Sequence, residues 1–388
     1  MYQQDQNEQR PLFAIKIMST ESTFKVTYQI QSDSKSEAQR RAEQICIEQT
    51  VEMPLEALSE HSKSFTGSIS SLNQIKDNYW IAEIDFPNKL IGNDLTQFLN
   101  ILFGNISLHH GIKILDVEDT ILRNIANGPA FGIKGIRKTL KTENRALSCT
   151  ALKPLGLQTS ELAERAYLFA SGGIDIIKDD HGLTNQDMAP FRARVAACIR
   201  AVRKGEQNSG KRTLYFPNIT TSPSGLFQRF EEAIELGADG VLISPQLTGL
   251  EMMKEIADKN ILPVMAHPSF SGSYTIHPNH GFSPDLYYGK LWRLFGADSV
   301  IYPNAGGRFS FNEDVCHEIN LQLRRDYNHP IRKSFPVPAG GIDRGNIDKW
   351  IKKYGIDTIL LIGGSLYLHP QGIKKAASDF HQILKKHE

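Results

Sequence analysis

Four cysteines (Cys46, Cys149, Cys198, Cys316) are all the chain contains, and no two have Cys-x-x-Cys spacing. That excludes a disulfide framework and a cysteine zinc site, and it fits reduced thiols in a cytoplasmic protein. No apolar run approaches the roughly 18 residues of a membrane span. An excess of either charge is missing too: 44 basic residues stand against 43 acidic, a net charge of +1. Nucleic acid or an anionic membrane would call for a basic surplus, so neither is expected as a partner. The opening MYQQDQNEQRPLF is polar and lacks the apolar stretch of a signal peptide. Low-complexity stretches and short internal repeats are also absent. What is there is 388 residues, 40% of them hydrophobic, enough for a large core and two domains.

Residues 1–11 read as an unstructured lead. Phe13–Met18 and Phe24–Ile30 read as strands around a turn at Ser19–Ser22. Residues 34–50 predict a helix capped by Ser36, with Ala38, Ala42, Ile45 and Cys46 on one face. Tyr79–Phe86 alternates as a strand, Asp94–Phe103 has helical spacing, and Ile106–Val117 reads as a further strand. Strands and helices without a regular βα repeat predict an α+β domain, ferredoxin-like, over residues 1–130.

After Gly128-Pro129 the pattern changes, and residues 131–388 alternate apolar runs with amphipathic helices such as Ser160–Ser171 and Gly225–Leu236. The runs are Leu147–Leu152, Ile174–Lys178, Thr213–Pro217, Gly240–Ser244, Pro263–His267, Ser299–Tyr302, Phe335–Pro338 and Thr358–Ile362. Eight β/α alternations predict a TIM (β/α)8 barrel, whose chemistry sits at the C-terminal ends of the strands.

The unusual residues stand at those ends. The second run stops in Lys178-Asp179-Asp180-His181. Two aspartates supply oxygens for a hard cation such as Mg2+, and a lysine joins them if its amine has captured CO2 as a carbamate. A solvated turn is the plain alternative. The first run ends in Lys153-Pro154, the fifth in His267-Pro268, and the sixth leads into Asn304–Arg308. The last two end in Gly340-Gly341 and Gly363-Gly364, pairs that let backbone amides approach a phosphate; tight turns also use such glycines.

With these motifs in their order and spacing, the chain resembles the RuBisCO large-chain superfamily over nearly its whole length. The matching segments are Gly104-Asn105, Asn127–Gly132, Cys149–Pro154, Gly172–Asp180, Ala339–Gly341 and Gly363-Gly364. The resemblance implies the same two-domain layout and a head-to-tail homodimer whose active sites are completed across subunits. It implies a phosphorylated sugar as substrate, and Mg2+ held through a carbamylated Lys178 that requires CO2. Asp180 then ligates the metal, and Asp179, on the other face of the strand, is structural. Lys153 matches a base or electrostatic helper. Gly340, Gly341, Gly363 and Gly364 match phosphate-binding positions, and Asn105 matches a residue lent to the partner.

Departures from the family pattern narrow the chemistry. The third ligand, a glutamate, is His181 here, which removes a negative charge, so that Mg2+ binding weakens or a metal that tolerates nitrogen replaces it; an acid–base role, or a side chain that does not face the metal, are the alternatives. The second lysine is Leu155, the Thr-Gly-Thr-Trp segment is Thr66-Gly67-Ser68-Ile69, and the His-Arg pair is His267-Pro268. The mobile sixth loop has no lysine, with Arg308 as a stand-in. A missing second phosphate clamp implies a substrate with one phosphate, and a missing loop lysine implies no CO2 fixation. The expectation is therefore a RuBisCO-like (form IV) enzyme that enolises a ketose phosphate, with Lys153 or His267 taking the proton. The leading reaction is isomerisation of 5-methylthioribulose 1-phosphate. The runner-up is a decarboxylase or transcarboxylase of 3-oxo-isoapionate 4-phosphate. The 2,3-diketo-5-methylthiopentyl-1-phosphate enolase reaction, a Schiff-base aldolase and a non-catalytic binding barrel remain as rivals.

Other groups suggest less. His277 and His280 fit no metal spacing, Cys149 reads as a buried thiol, and His109-His110 read as part of a strand.

Overall fold

The computed structural model describes residues 22–309, 311–327 and 330–388; the lead 1–11 and the strand expected at Phe13–Met18 lie outside them. The first half is built on β1 (Thr23–Gln31), β2 (Ser68–Lys76), β3 (Tyr79–Pro87) and β4 (Ile112–Val117). Helices Lys35–Glu48 and Leu95–Phe103 follow β1 and β3, giving the βαββαβ order of a ferredoxin-like domain. The Phe24, Val26, Tyr28 and Ile30 side chains of β1 are fully buried, as period-two alternation demands.

Three local expectations need correcting. Ser34, not Ser36, caps the first helix, because the Glu37 N–H donates to its hydroxyl at 3.2 Å. Ile106–Val117 is not one strand: Asn105–Leu108 is a 3-10 turn, and Gly111, with φ of 70°, turns the chain before β4 starts. His109 and His110 therefore lie in that turn and not on a strand. The edge strand β2, SISSLNQIK, was not anticipated, since its polar residues hide any apolar alternation.

The second half contains β5 (Leu147–Leu152), β6 (Ile176–Asp179), β7 (Leu214–Phe216), β8 (Val241–Ile243), β9 (Val264–Ala266), β10 (Gly281–Phe282), β11 (Ser299–Pro303), β12 (Phe335–Ala339) and β13 (Ile359–Leu361). All of these except β10 form one parallel sheet in the order β7-β6-β5-β13-β12-β11-β9-β8. A parallel bridge between Asn218 and Leu242 joins the two ends, so the sheet closes into a barrel. Its lumen is filled by Leu147, Ile176, Leu214, Leu242, Met265, Ile301, Val337 and Ile359. The helix Gly132–Leu140 adds Ile133, Ile136 and Leu140 to the same cluster.

The halves interlock. The short strand β10 leaves the barrel and pairs with β4 on the first sheet. The buried Lys290 ammonium binds Asp116 at 2.9 Å and Asp119 at 2.6 Å. Just before β11, the buried Asp298 accepts backbone N–H bonds from Phe131 (2.7 Å), Gly132 (2.6 Å) and Val264 (2.8 Å). Burial nonetheless pushes its carboxyl up to about 6. Asp298→Ala strands these three donors, each buried orphan costing about 1–3 kcal/mol, with rearrangement recovering part. The expected net loss is about 3 kcal/mol, seen as a lower urea midpoint at unchanged slope.

Candidate active site

Each polar strand end is anchored by side chains that the sequence does not place beside it. At the end of β5, the Lys153 N–H donates to the Tyr367 hydroxyl at 3.0 Å, and that hydroxyl donates to the Ala151 carbonyl at 2.7 Å. Arg165 Nη1 donates to the Lys153 carbonyl at 2.8 Å. With its backbone fixed, Lys153 reaches across so that Nζ lies 2.8 Å from Asp180 Oδ2.

Strand alternation separates the residues at the end of β6. Lys178 and Asp180 line a cavity, while Asp179 points the other way. There Asp179 meets the Tyr215 hydroxyl at 2.6 Å, Arg194 Nη2 at 3.1 Å and the Asn218 N–H at 3.0 Å. Asn218 Nδ2 then donates to the His181 carbonyl at 2.8 Å, so this buried network shapes the turn that carries Asp180 and His181.

Lys178 is 2% exposed, and its amine donates to the Asp179 carbonyl at 3.0 Å. Burial lowers its pKa more than Cys149, Asp180 and Asp179 restore it. Burial opposes the charge on Asp180, but Lys153 and Lys178 outweigh it and hold the carboxyl below its usual range. His181 is about half exposed, with Nδ1 3.3 Å from Asp180 Oδ1. Its ring stacks on His267 at 4.6 Å and 10°. Burial and then the Lys178 charge push His267 well below its ordinary value. The Ser269 N–H donates to His267 Nδ1 at 3.2 Å. A nitrogen that accepts an N–H carries no proton, so neutral His267 carries its proton on Nε2.

Across the cavity, the loop after β11 meets the turn after β12. Asn304 Nδ2 donates to the Gly340 carbonyl at 3.2 Å, and the Tyr354 hydroxyl holds Asn304 Oδ1 at 2.7 Å. Gly341 needs to be glycine, with φ of 67° and room for a Cβ only 2.8 Å from Gly306. No such crowding explains Gly363 and Gly364, where a Cβ would meet nothing within 4 Å.

One cavity of about 1020 Å³ collects Lys153, Lys178, Asp180, His181, His267, Arg308, Gly340, Gly341, Gly363 and Gly364. Asn105 is not among its lining residues; its amide donates to the Glu52 carboxylate at 2.8 Å on the first domain. Phe270, Ile276 and Phe309 give the cavity an apolar side. Tyr288 holds the loop after β9 through Ser271 Oγ (2.6 Å) and Thr275 Oγ1 (3.0 Å). Cys149 is buried, with its thiol pushed up to about 12, and is inert. Sequence reasoning missed Tyr367, Arg165, Tyr288, Tyr354 and Arg194. Only Arg194 left a signal, a charge among Phe191, Val195 and Cys198 on the apolar side of its helix.

Among the described residues, no three His, Cys, Asp or Glu side chains converge as a metal site. Asp180 Oδ1 and His181 Nδ1 are a ready pair, and a Lys178 carbamate would complete three ligands. The donor set fits a divalent cation on that condition, and burial lowers the Lys178 pKa towards the uncharged amine that reacts with CO2.

An α+β domain leading into a (β/α)8 barrel, with acid–base groups at the strand C-termini, is the layout of a barrel enzyme. Residues 132–385 match the family model of the ribulose bisphosphate carboxylase large chain, catalytic domain. The chain is 36% identical to ribulose bisphosphate carboxylase-like protein 1 of Rhodopseudomonas palustris, over 93% of this chain and 97% of that one. It is 34% identical to the 5-methylthioribulose-1-phosphate isomerase of Rhodospirillum rubrum, over 88% and 91%. The crystal structure of a Rubisco-like protein from Rhodopseudomonas palustris superposes with a TM-score of 0.86 at 33% identity, covering 95% of this chain and 99% of that one. The chain belongs to the RuBisCO large-chain family, among its RuBisCO-like proteins. No helix among the described residues is long and apolar enough to cross a membrane.

Proposed function

We propose that the chain is a cytoplasmic RuBisCO-like isomerase that enolises 5-methylthioribulose 1-phosphate and does not fix CO2. One observation carries this reading: the acid–base groups and both glycine turns line the same cavity. The name of the Rhodospirillum rubrum relative supports the substrate. The absence of a lysine from Asn304–Phe309 argues against carboxylation.

In this reading, amides around Gly340, Gly341, Gly363 and Gly364 hold the single phosphate. Lys153 takes the α-proton in the fraction of molecules that hold its amine uncharged. His267 donates its Nε2–H to the oxygen on which charge develops, as a neutral imidazole does in triosephosphate isomerase. Returning the proton to the other carbon completes the isomerisation. Carbamylated Lys178, Asp180 and His181 hold Mg2+ or a related cation, which supplies Lewis-acid polarisation of the ketone. Carbamylation adds CO2 to the neutral Lys178 amine and releases one proton. The working form is a homodimer in which Asn105, outside its own chain's cavity, serves the partner's, and Arg308 reaches over the substrate.

The test is incubation with 5-methylthioribulose 1-phosphate, Mg2+ and bicarbonate in D2O, followed by proton NMR. Loss of an α-proton signal together with new pentulose phosphate signals is expected. Exchange without product would keep enolisation and move the substrate towards the diketo enolase reaction. No exchange with any cation would overturn the reading, and CO2 release from a 3-oxo sugar-acid phosphate would then test the decarboxylase. A second check is Gly364→Ala, which has room and no left-handed backbone. It should leave Tm unchanged and raise KM about tenfold, since about 1.4 kcal/mol of phosphate contact is lost.

A further inference from the structure

The cation pocket at the end of β6 is a mixed site, and mixed sites choose metals differently from all-oxygen ones. Its preformed donors are one carboxylate oxygen and one imidazole nitrogen, Asp180 Oδ1 and His181 Nδ1, 3.3 Å apart. With metal–ligand bonds of about 2.0–2.2 Å, neighbouring donors around one ion stand about 3.0–3.4 Å apart, so the two already span an edge of a coordination shell. The other oxygen of Asp180 is taken by the Lys153 ammonium at 2.8 Å, which also reduces the negative charge available to an ion. The ring of His181 is held flat against His267, so its in-plane nitrogen is aimed without further ordering. His267 cannot supply a second nitrogen, because its Nδ1 accepts the Ser269 N–H and its Nε2 carries the proton.

We infer that this site selects a first-row transition-metal dication, of the Mn2+ to Co2+ kind, over Mg2+, and that His181 is the residue that selects it. The inference rests on the carbamate at Lys178 proposed above. Mg2+ prefers oxygen and depends on ligand charge, and here one charge is replaced by a neutral nitrogen. Imidazole affinity rises along the series from Mn2+ to Co2+, so the same replacement favours those ions.

Calorimetric titration of the full chain in saturating bicarbonate, with Mg2+ and Co2+ in turn, should give a Kd for Co2+ at least ~10-fold lower. Pulsed EPR of the Mn2+ form should show modulation from a directly bonded 14N. His181→Glu should remove that modulation and narrow the Co2+/Mg2+ ratio at least ~10-fold. His181→Asn, checked for folding by its melt, keeps the test valid if the glutamate variant does not fold; it too should remove the modulation. Equal affinities, Mn2+ bound without nitrogen coupling, or coupling that survives both variants would each overturn the inference. Failure of ketose exchange alongside nitrogen-coupled Mn2+ would sink the isomerase reading and leave the metal assignment standing. Failure of every ion to bind would sink the assignment and the carbamate together.

Discussion

Lys178→Met should lower the rate of α-proton exchange at least ~10³-fold while leaving the fold intact. The size follows from the proposed mechanism, in which the carbamate on Lys178 is itself a ligand to the cation, so one substitution removes both. Stability should hold because Lys178 is 2% exposed and its amine is held by a single neutral acceptor among the described residues, the Asp179 carbonyl. An apolar chain of similar length fills the volume without a buried ionisable group. The measurement pairs D2O exchange, with and without bicarbonate, with a thermal melt. Wild type should require bicarbonate, and the variant should be indifferent to it. A variant with near-wild-type exchange would remove Lys178 from the chemistry and return the strand end to a structural turn.

Arg194→Met should cost about 4 kcal/mol of unfolding free energy, among the largest single losses available to this chain. Arg194 and Asp179 are both fully buried and paired at 3.1 Å. Removing the guanidinium leaves a carboxylate facing only the Tyr215 hydroxyl and the Asn218 N–H. Adding Asp179→Asn should restore part of the loss, because a neutral amide still accepts from Tyr215. Urea denaturation of the two single variants and the double one gives the coupling energy. A loss under about 1 kcal/mol for Arg194→Met would show that the pair is not what holds this strand end. Below its melting range the variant should also turn over more slowly, since Asn218 links Asp179 to the His181 carbonyl.

The barrel was legible because its strands are buried on both faces, so they read as apolar runs between helices with a repeating stripe. Leu147–Leu152 matches a strand residue for residue. The run Ile174–Lys178 is observed as Ile176–Asp179, displaced towards its polar end. Polar residues at strand ends were visible for the same reason, as abrupt breaks in apolar runs. What was not legible is tertiary. The two residues of β10 carry no periodicity, and the Asp285–Leu291 π-helical turn that aims Tyr288 has no pattern of its own. Nothing near Lys153 in sequence announces Tyr367, more than two hundred positions away. Whether a histidine accepts or donates depends on one backbone N–H at Ser269, which no residue pattern encodes.

The path from His267 to β10 ties the site to the other domain. This stretch starts at an active-site imidazole, contributes Phe270 and Ile276 to the cavity wall, and ends hydrogen-bonded to β4. Lys113 on β4 grips it as well, through the His277 carbonyl at 3.0 Å. The roof of the cavity thus hangs from the first domain: a tilt of that sheet would be transmitted along the tether that carries His267. A barrel expressed alone from residue 131 would keep its strands but lose the anchor of that roof, leaving β10 without the strand it pairs with.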